Sequence, residues 1–130
     1  MDNLELVKKL HPPHYDGVNS FCLLPNSLLL SASRDKSIKV WNIANEEMPQ
    51  DKIIHSAHSD WVNTLTYYNQ SIYSGCRDGV ISRWNSETFS QIGVFQAHTS
   101  SVNSLVTNPQ FVISASNDRT IKIWKEAEQN

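Results

Sequence analysis

The stretch SASNDRTIKIW, residues 114–124, decides the fold because the chain contains it three times with small changes. SASRDKSIKVW occupies residues 31–41, and SGCRDGVISRW occupies residues 74–84. In every copy a Ser stands four residues before an Asp, and a Trp follows that Asp by six residues. A fixed period of this kind is typical of folds that stack one supersecondary unit on the next.

A second segment repeats ahead of each copy. It reads HYDGVNSF at 14–21, HSDWVNTL at 58–65 and HTSSVNSL at 98–105. The His precedes the Asp of its unit by 21, 20 and 20 residues, and the three Trp residues are 43 and 40 positions apart. We therefore expect three repeats, over about 14–41, 58–84 and 98–124.

Each unit has the composition of short β-strands. VNSFCLL, SLLLSAS and SIKVWNI are rich in apolar and β-branched residues and are separated by turn formers. A fourth, outer strand is predicted before each His, at 4–10, 52–57 and 91–97, and no segment has the pattern of a long amphipathic helix. Four short antiparallel strands per unit predict an all-β blade of a β-propeller.

The bulk composition argues against several classes of partner. The 130 residues carry a formal net charge of −2, which gives no general attraction for nucleic acid or an anionic membrane. No apolar run is long enough for a membrane helix. Cys22 and Cys76 lack a metal-type spacing, so we expect two small buried hydrophobes in a reduced, cytoplasmic protein that needs no cofactor.

On these motifs the chain resembles the WD-repeat family. The resemblance covers residues from about 4 to 125, although Asn or Lys follows each Trp where the nominal signature has Asp. It implies a single domain over 1–130: a partial propeller of three four-stranded blades, preceded by the outer strand at 4–10.

The resemblance also implies a hydrogen-bonded tetrad in each blade. Its members are a His before the first strand, a Ser on the second, an Asp in the following turn and a Trp on the third. The three sets are His14, Ser31, Asp35 and Trp41; His58, Ser74, Asp78 and Trp84; and His98, Ser114, Asp118 and Trp124.

Two catalytic or metal interpretations of these residues compete with the structural one. Ser, His and Asp together resemble a hydrolase triad, but no Gly-x-Ser-x-Gly elbow is present to expose a nucleophile. HPPH at 11–14 and HSAH at 55–58 offer paired histidines for zinc, yet His14 and His58 already belong to tetrads. We therefore predict no catalytic residue, no bound metal and no enzymatic activity.

A partner-binding face is expected where the loop before the first strand meets the turn after the second. It comprises Asn19, Arg34, Trp61, Asn63, Arg77, Asn103 and Asn117. Trp61 flanked by Arg34 and Arg77 suits an acidic or phosphorylated protein segment. In the alternative, the two arginines pair with Asp16 and Asp60 and Trp61 packs on a loop.

Three blades are fewer than the four to eight that usually close a propeller ring. The strand at 4–10 has no blade of its own, and the third blade has no outer strand after Trp124. We therefore expect a homo-oligomer that exchanges this strand, a complementing half-propeller on another chain, or a chain that is one part of a longer propeller.

Nearly the whole chain is similar to the terminal WD-repeat region of long kinesin-four motors. The segments that carry this similarity are residues 12–18, 57–65, 74–85 and 92–108. It implies a scaffold that binds a peptide, cargo or microtubule partner in the cytoplasm, in association with the cytoskeleton. The alternatives are a substrate receptor of a ubiquitin ligase and a structural subunit that completes a split propeller.

Overall fold

A computed structural model describes residues 3–127 and contains strands but no helix in that range. This part of the chain therefore contains no helix with the length and apolar character needed to cross a membrane. The all-β prediction is confirmed. The strands are β1 (Val18–Leu23), β2 (Leu28–Ser33), β3 (Ile38–Asn42), β4 (Gln50–Ile54), β5 (Val62–Tyr68), β6 (Ser71–Cys76), β7 (Val80–Asn85), β8 (Gln91–Gln96), β9 (Val102–Thr107), β10 (Val112–Ser116) and β11 (Ile121–Trp124).

The strands form three separate antiparallel sheets. The first sheet has the order β1-β2-β3-β4 and the second has β5-β6-β7-β8, so chain order and spatial order are the same. The third sheet contains β9, β10 and β11 and has no fourth strand among the described residues. Its strand β11 is consequently an edge whose outer side is unpaired.

The sheets stack face to face, with the second sheet in the middle. The inner strands β1, β5 and β9 lie side by side. One apolar cluster between the first and second sheets includes Leu30, Ile38, Val62 and Leu65. A second cluster, between the second and third sheets, includes Ile81 and four further buried residues, Tyr73, Val102, Leu105 and Val112. The two apolar clusters thus lie where a sheet meets its neighbour.

The tight turn between the second and third strands of each sheet has the same form in all three repeats. The residue after the Asp has a positive φ: 74° at Lys36, 90° at Gly79 and 76° at Arg119. Its amide donates to the carbonyl three residues back, as expected for a type I turn followed by a left-handed residue. Only the second repeat supplies glycine, the residue that adopts this conformation without steric cost.

Residues 4–10 form no strand in the structure, in contrast to the sequence prediction. Leu4, Leu6 and Val7 are almost fully exposed. A strand needs a neighbour for its backbone N–H and C=O groups, and none of the eleven described strands pairs with residues 4–10. The other two predicted outer strands are present as β4 and β8, with slightly different ends.

The segment after β11 is tied back to the second sheet by Glu126. Its carboxylate accepts hydrogen bonds from Tyr73 at 2.8 Å and Asn69 at 3.1 Å, and it pairs with Arg83 at 2.6 Å. This contact is not predictable from the sequence, because a Glu far along the chain gives no local signal of its partners.

We expect Gly79→Ala to lower the free energy of unfolding by more than about 1 kcal/mol. A Cβ on Gly79 would lie 2.2 Å from the carbonyl oxygen of His98, and an L-residue is strained at this φ. Chemical denaturation measures the change. Lys36→Gly is the matched control at the equivalent turn position, and we expect no loss or a gain of up to about 1 kcal/mol. Equal destabilisation by both substitutions would contradict this account.

Candidate functional site

The first and third tetrads are complete hydrogen-bond chains. In the first, Trp41 Nε1 donates to Ser31 Oγ at 2.9 Å, and Ser31 Oγ lies 2.7 Å from His14 Nε2. His14 Nδ1 lies 2.9 Å from Asp35 Oδ2. Because an indole nitrogen only donates, the Ser hydroxyl proton points to His14 Nε2, and Nδ1–H donates to the carboxylate.

The third tetrad repeats this geometry. The distances are 2.8 Å from Trp124 Nε1 to Ser114 Oγ, 2.7 Å from that oxygen to His98 Nε2, and 2.8 Å from His98 Nδ1 to Asp118 Oδ2. Each tetrad therefore joins two strands, a turn and the segment before the first strand.

The second tetrad lacks one of these contacts. Trp84 Nε1 and His58 Nε2 lie 2.8 and 2.7 Å from Ser74 Oγ, as in the other repeats. The ring of His58, however, makes no hydrogen bond to Asp78, whose Oδ2 instead accepts from Ser59 Oγ at 2.8 Å.

A hydroxyl two residues after the Asp distinguishes the complete tetrads from the incomplete one. Ser37 Oγ donates to Asp35 Oδ1 at 2.6 Å and lies 3.1 Å from His14 Nδ1. Thr120 makes the same pair of contacts in the third repeat, also at 2.6 and 3.1 Å. The equivalent residue in the second repeat is Val80, which has no hydroxyl. This fifth member is not among the predicted residues, although Ser, Val and Thr occupy one position of the three repeats.

The hydrogen bonds keep the carboxylates of Asp35 and Asp118 ionised. Burial acts to raise the pKa of Asp35, but hydrogen bonds from Ser37, the Tyr15 amide and His14 lower it well below the usual range. The pKa of Asp118 is also well below its ordinary value, chiefly because of the hydrogen bond from Thr120. Each carboxylate therefore stabilises the fold above about pH 4 and loses that contribution in acid.

The pKa of His58 is lowered, which disfavours the protonated form of its ring. Burial lowers the pKa of this imidazole, and the nearby charge of Asp78 offsets the shift only in part. The neutral ring therefore suits the folded state, and protonation opposes folding.

The geometry of the serines does not suit nucleophilic catalysis. Ser31, Ser74 and Ser114 are buried, and each hydroxyl is held between an indole and an imidazole. A nucleophile must instead face a substrate. Among residues 3–127 no group of three or more His, Cys, Asp and Glu side chains has the arrangement of a metal site.

The two cysteines are separate free thiols. Burial raises the pKa of Cys22 to about 11 and that of Cys76 to about 12. Both thiols are therefore protonated near neutral pH and lack the thiolate that reactive cysteines need.

The residues of the expected partner-binding face are brought to the same end of the stack. In each repeat the amide of the residue before the tetrad Asp donates to the loop ahead of the first strand. The pairs are Arg34 to Gly17 at 2.9 Å, Arg77 to Trp61 at 2.9 Å, and Asn117 to Ser101 at 3.0 Å. The turn and the loop of each sheet are thereby fixed against each other.

Trp61 stands between the two arginines, as the sequence analysis expects. The guanidinium carbons of Arg34 and Arg77 lie 4.4 and 4.2 Å from the centre of the Trp61 ring. The alternative pairing with Asp16 and Asp60 does not occur: each of these carboxylates accepts a hydrogen bond from the amide of the next residue. Within the described part of the chain, neither arginine forms an ion pair.

A row of polar side chains extends from Arg34 across all three sheets. Arg34 Nε donates to Asn19 Oδ1, Asn19 Nδ2 lies 3.3 Å from Asn63 Oδ1, and Asn63 Nδ2 lies 2.8 Å from Ser101 Oγ. Asn103 and Asn117 are bonded to each other. An open cavity of about 360 Å³ lies here, lined by Trp61, Asn63, Arg77, Ser101, Asn103 and Asn117.

Comparison with known proteins agrees with this geometry. The family description "WD domain, G-beta repeat", or WD40, matches residues 4–42, 51–85 and 89–125. The chain belongs to the WD40 repeat family. Two solved structures, described as RRP9 WD40 repeats and U3-55K, superpose with TM-scores of 0.82 and 0.82 at 23% and 22% identity. Each match covers 90% of this WD40 chain and 38% of the solved one, so the prediction of a partial propeller is confirmed.

Relatives of the WD40 chain include much longer proteins. Human kinesin-like proteins KIF21A and KIF21B are 36% and 40% identical over 88% and 87% of this chain. Rat telomerase protein component 1 is 33% identical over 75% of it. The chain spans only 7%, 7% and 4% of these relatives. The predicted resemblance to kinesin-type proteins is confirmed as a similarity of sequence.

We expect Val80→Thr to complete the second tetrad of this WD40 chain. The new hydroxyl would occupy the place of Ser37 and Thr120 and donate to Asp78, raising the free energy of unfolding by about 0.5–1.5 kcal/mol. Denaturant unfolding of the variant and the wild type measures the difference. A lower stability would show that the Val80 methyl groups contribute more than the missing hydrogen bond.

The depressed pKa of His58 predicts a pH dependence of stability near neutrality. The unfolded imidazole takes up a proton below about pH 6.5 while the folded one resists it, so stability falls as the pH falls. We expect His58→Gln, which keeps a partner for Ser74, to lose less stability than the wild type between pH 7 and pH 5. Identical pH profiles of the two proteins would contradict the assignment.

Proposed function

We propose that this chain is a non-enzymatic interaction scaffold that binds an acidic or phosphorylated protein segment across Trp61, Arg34 and Arg77. WD40 domains generally mediate contacts between proteins, which supports the class of function. The observation that carries the proposal is the stacking of two guanidiniums on one indole, with no acidic partner for either among residues 3–127.

The charges of this face favour an anionic ligand. Both arginines are exposed, and each retains N–H donors beyond its contact with the indole. Two cations held close to one ring repel each other, and a bound carboxylate or phosphate relieves that repulsion while accepting paired hydrogen bonds. The binding of an anion is therefore more favourable here than at an isolated surface arginine.

The neighbouring amides offer a path for the rest of an extended peptide. Asn63, Asn103 and Asn117 line the cavity beside Arg77, and their amide groups both donate and accept hydrogen bonds. A segment anchored at Trp61 can thus continue across the second and third sheets with its backbone groups paired. The indole supplies the apolar contact that anchors of protein interfaces commonly provide.

The kinesin-like relatives support a cytoskeletal setting for this activity. We infer that the chain works in the cytoplasm in association with the cytoskeleton and that a microtubule or a kinesin-associated protein is its partner. Nucleic acid, membrane and cofactors have no part in this proposal. A pull-down of tubulin or of a kinesin fragment by the purified chain tests the choice of partner.

We expect Trp61→Ala and Arg77→Ala each to weaken the binding of a fluorescein-labelled hexaglutamate peptide by at least about tenfold, or 1.4 kcal/mol. The reason is the loss of the indole platform in one variant and of a cation in the other. Fluorescence anisotropy gives the affinity, which should also fall with added salt because the charges are exposed.

Lys52→Ala is the matched control, because it removes an exposed positive charge from β4, away from this face. It should leave the affinity for the peptide unchanged. If Lys52→Ala weakens binding as much as Arg77→Ala, the peptide responds only to overall charge, and the assigned face is wrong.

A further inference from the structure

The first sheet exposes apolar positions that are buried in the other two sheets. Phe21 is 67% exposed, whereas the residues at the same repeat position, Leu65 and Leu105, are each 5% exposed. Val18 is half-exposed, whereas its equivalents in the second and third sheets are fully buried. We name the side of the first sheet that carries Val18 and Phe21 the front surface. In the second and third sheets, this side packs on the preceding sheet.

The third sheet also exposes apolar positions that are buried elsewhere, but on its opposite side. Ile121 is 74% exposed, while its equivalents Ile38 and Ile81 are 0% and 1% exposed. Ile123 is also mostly exposed, although Val40 at the same position of the first sheet is fully buried. We name the side that carries Ile121, Ile123 and Ala115 the back surface. In the first and second sheets, this side receives the next sheet.

The internal junctions show how a front surface fits a back surface. A Cβ built on Gly75 of the second sheet would lie 2.6 Å from a Val102 methyl carbon of the third. At the first junction Val62 and Ala32, the equivalents of Val102 and Gly75, belong to one buried cluster. The front valine therefore sits against a small residue, and Ala115 offers that small residue on the uncovered back surface.

A hydrogen bond crosses each internal junction at the inner strands. The donor and acceptor are Leu65 N and Ser20 Oγ at 3.2 Å, then Leu105 N and Thr64 Oγ1 at 3.1 Å. At the equivalent positions of the two uncovered surfaces, Ser104 has the hydroxyl that would accept and Phe21 has the backbone amide that would donate. The two uncovered surfaces thus match each other in polar groups as well as in apolar shape.

These surfaces cannot meet within one chain, because the second sheet separates the first from the third. We propose that they meet between two copies of this chain, the front surface of each stacking on the back surface of the other. Six sheets result, a number within the four to eight that usually close a propeller. A front-to-back contact of this kind is heterologous, and it ends in a closed ring when its rotation permits.

The same contact provides a place for residues 4–10. β4 and β8 each form the outer strand of one sheet and lead directly into the His and first strand of the next. Residues 4–10 lead in the same way into His14 and β1. When the front surface of one copy lies on the back surface of another, residues 4–10 reach the unpaired edge of β11. There they face an apolar groove of about 370 Å³ whose lining includes Phe95 and Trp124.

The test is the solution mass of the chain and of two charged variants. We expect the wild type to have twice the 14.8 kDa of one chain by sedimentation equilibrium. Phe21→Glu disables the front surface and Ile121→Glu the back surface, so each variant alone has no complementary pair and should be a monomer. Both residues are exposed in the single chain, so circular dichroism should show both variants folded.

Mixing the two variants distinguishes this arrangement from others. The intact front of Ile121→Glu fits the intact back of Phe21→Glu, so the mixture should form a one-to-one dimer through a single junction. Val94→Glu, an exposed apolar position of β8, is the matched control and should remain dimeric like the wild type. Leu6→Pro should weaken the dimer, because proline removes an amide from the strand that pairs with β11.

A wild type that stays monomeric at its highest soluble concentration would overturn the proposal. Charged variants that remain dimeric, or a mixture that remains monomeric, would also overturn it. The hexaglutamate assay at Trp61 gives an independent result, because none of these substitutions lies on that face.

Discussion

The buried serine hydroxyl of each repeat is the interaction on which the rest of the structure depends. It accepts a hydrogen bond from the indole N–H of the Trp on the third strand and donates one to the imidazole of the His before the first strand. A hydroxyl removed from water must keep its partners, because an unpaired buried polar group destabilises the folded state. Three parts of the chain that are far apart in sequence therefore have one mutual arrangement, which also fixes the register of the sheet.

This arrangement places the residues proposed to bind partners. Arg34 and Arg77 each precede a tetrad aspartate, and Trp61 follows His58 by three residues. The contact of His14 with Asp35 holds the first turn, and the hydrogen bond from Ser59 to Asp78 holds the second. The backbone contacts from Arg34 to Gly17 and from Arg77 to Trp61 hold the loops against these turns. The side chains that face a ligand thus stand on a rigid base, which reduces the conformational entropy lost on binding.

The sequence predicts the repeated features of the fold and little else. The spacing of His, Ser, Asp and Trp recurs because every sheet needs the same buried contacts, and this recurrence makes the sheets and their order predictable. The absent contact between His58 and Asp78 occurs in the repeat that has Val80 where the others have Ser37 and Thr120, a difference that has meaning only after the turn is known. The pairing of Glu126 with Arg83 depends on long-range packing, for which no periodic signal exists. Residues 4–10 have the composition of a strand, but composition does not provide the neighbour that a strand requires.

The matching of every front surface to every back surface has a consequence for how such chains change over generations. Because each unit meets the next through the same valine, the same small residue and the same hydroxyl, removing or duplicating one whole unit leaves compatible ends. Gene duplication can then lengthen the array without a new kind of contact between units, and selection acts mainly on the loops. The cost is that neighbouring units of one chain have little to prevent them from exchanging places during folding, so sequence divergence between units protects the correct order.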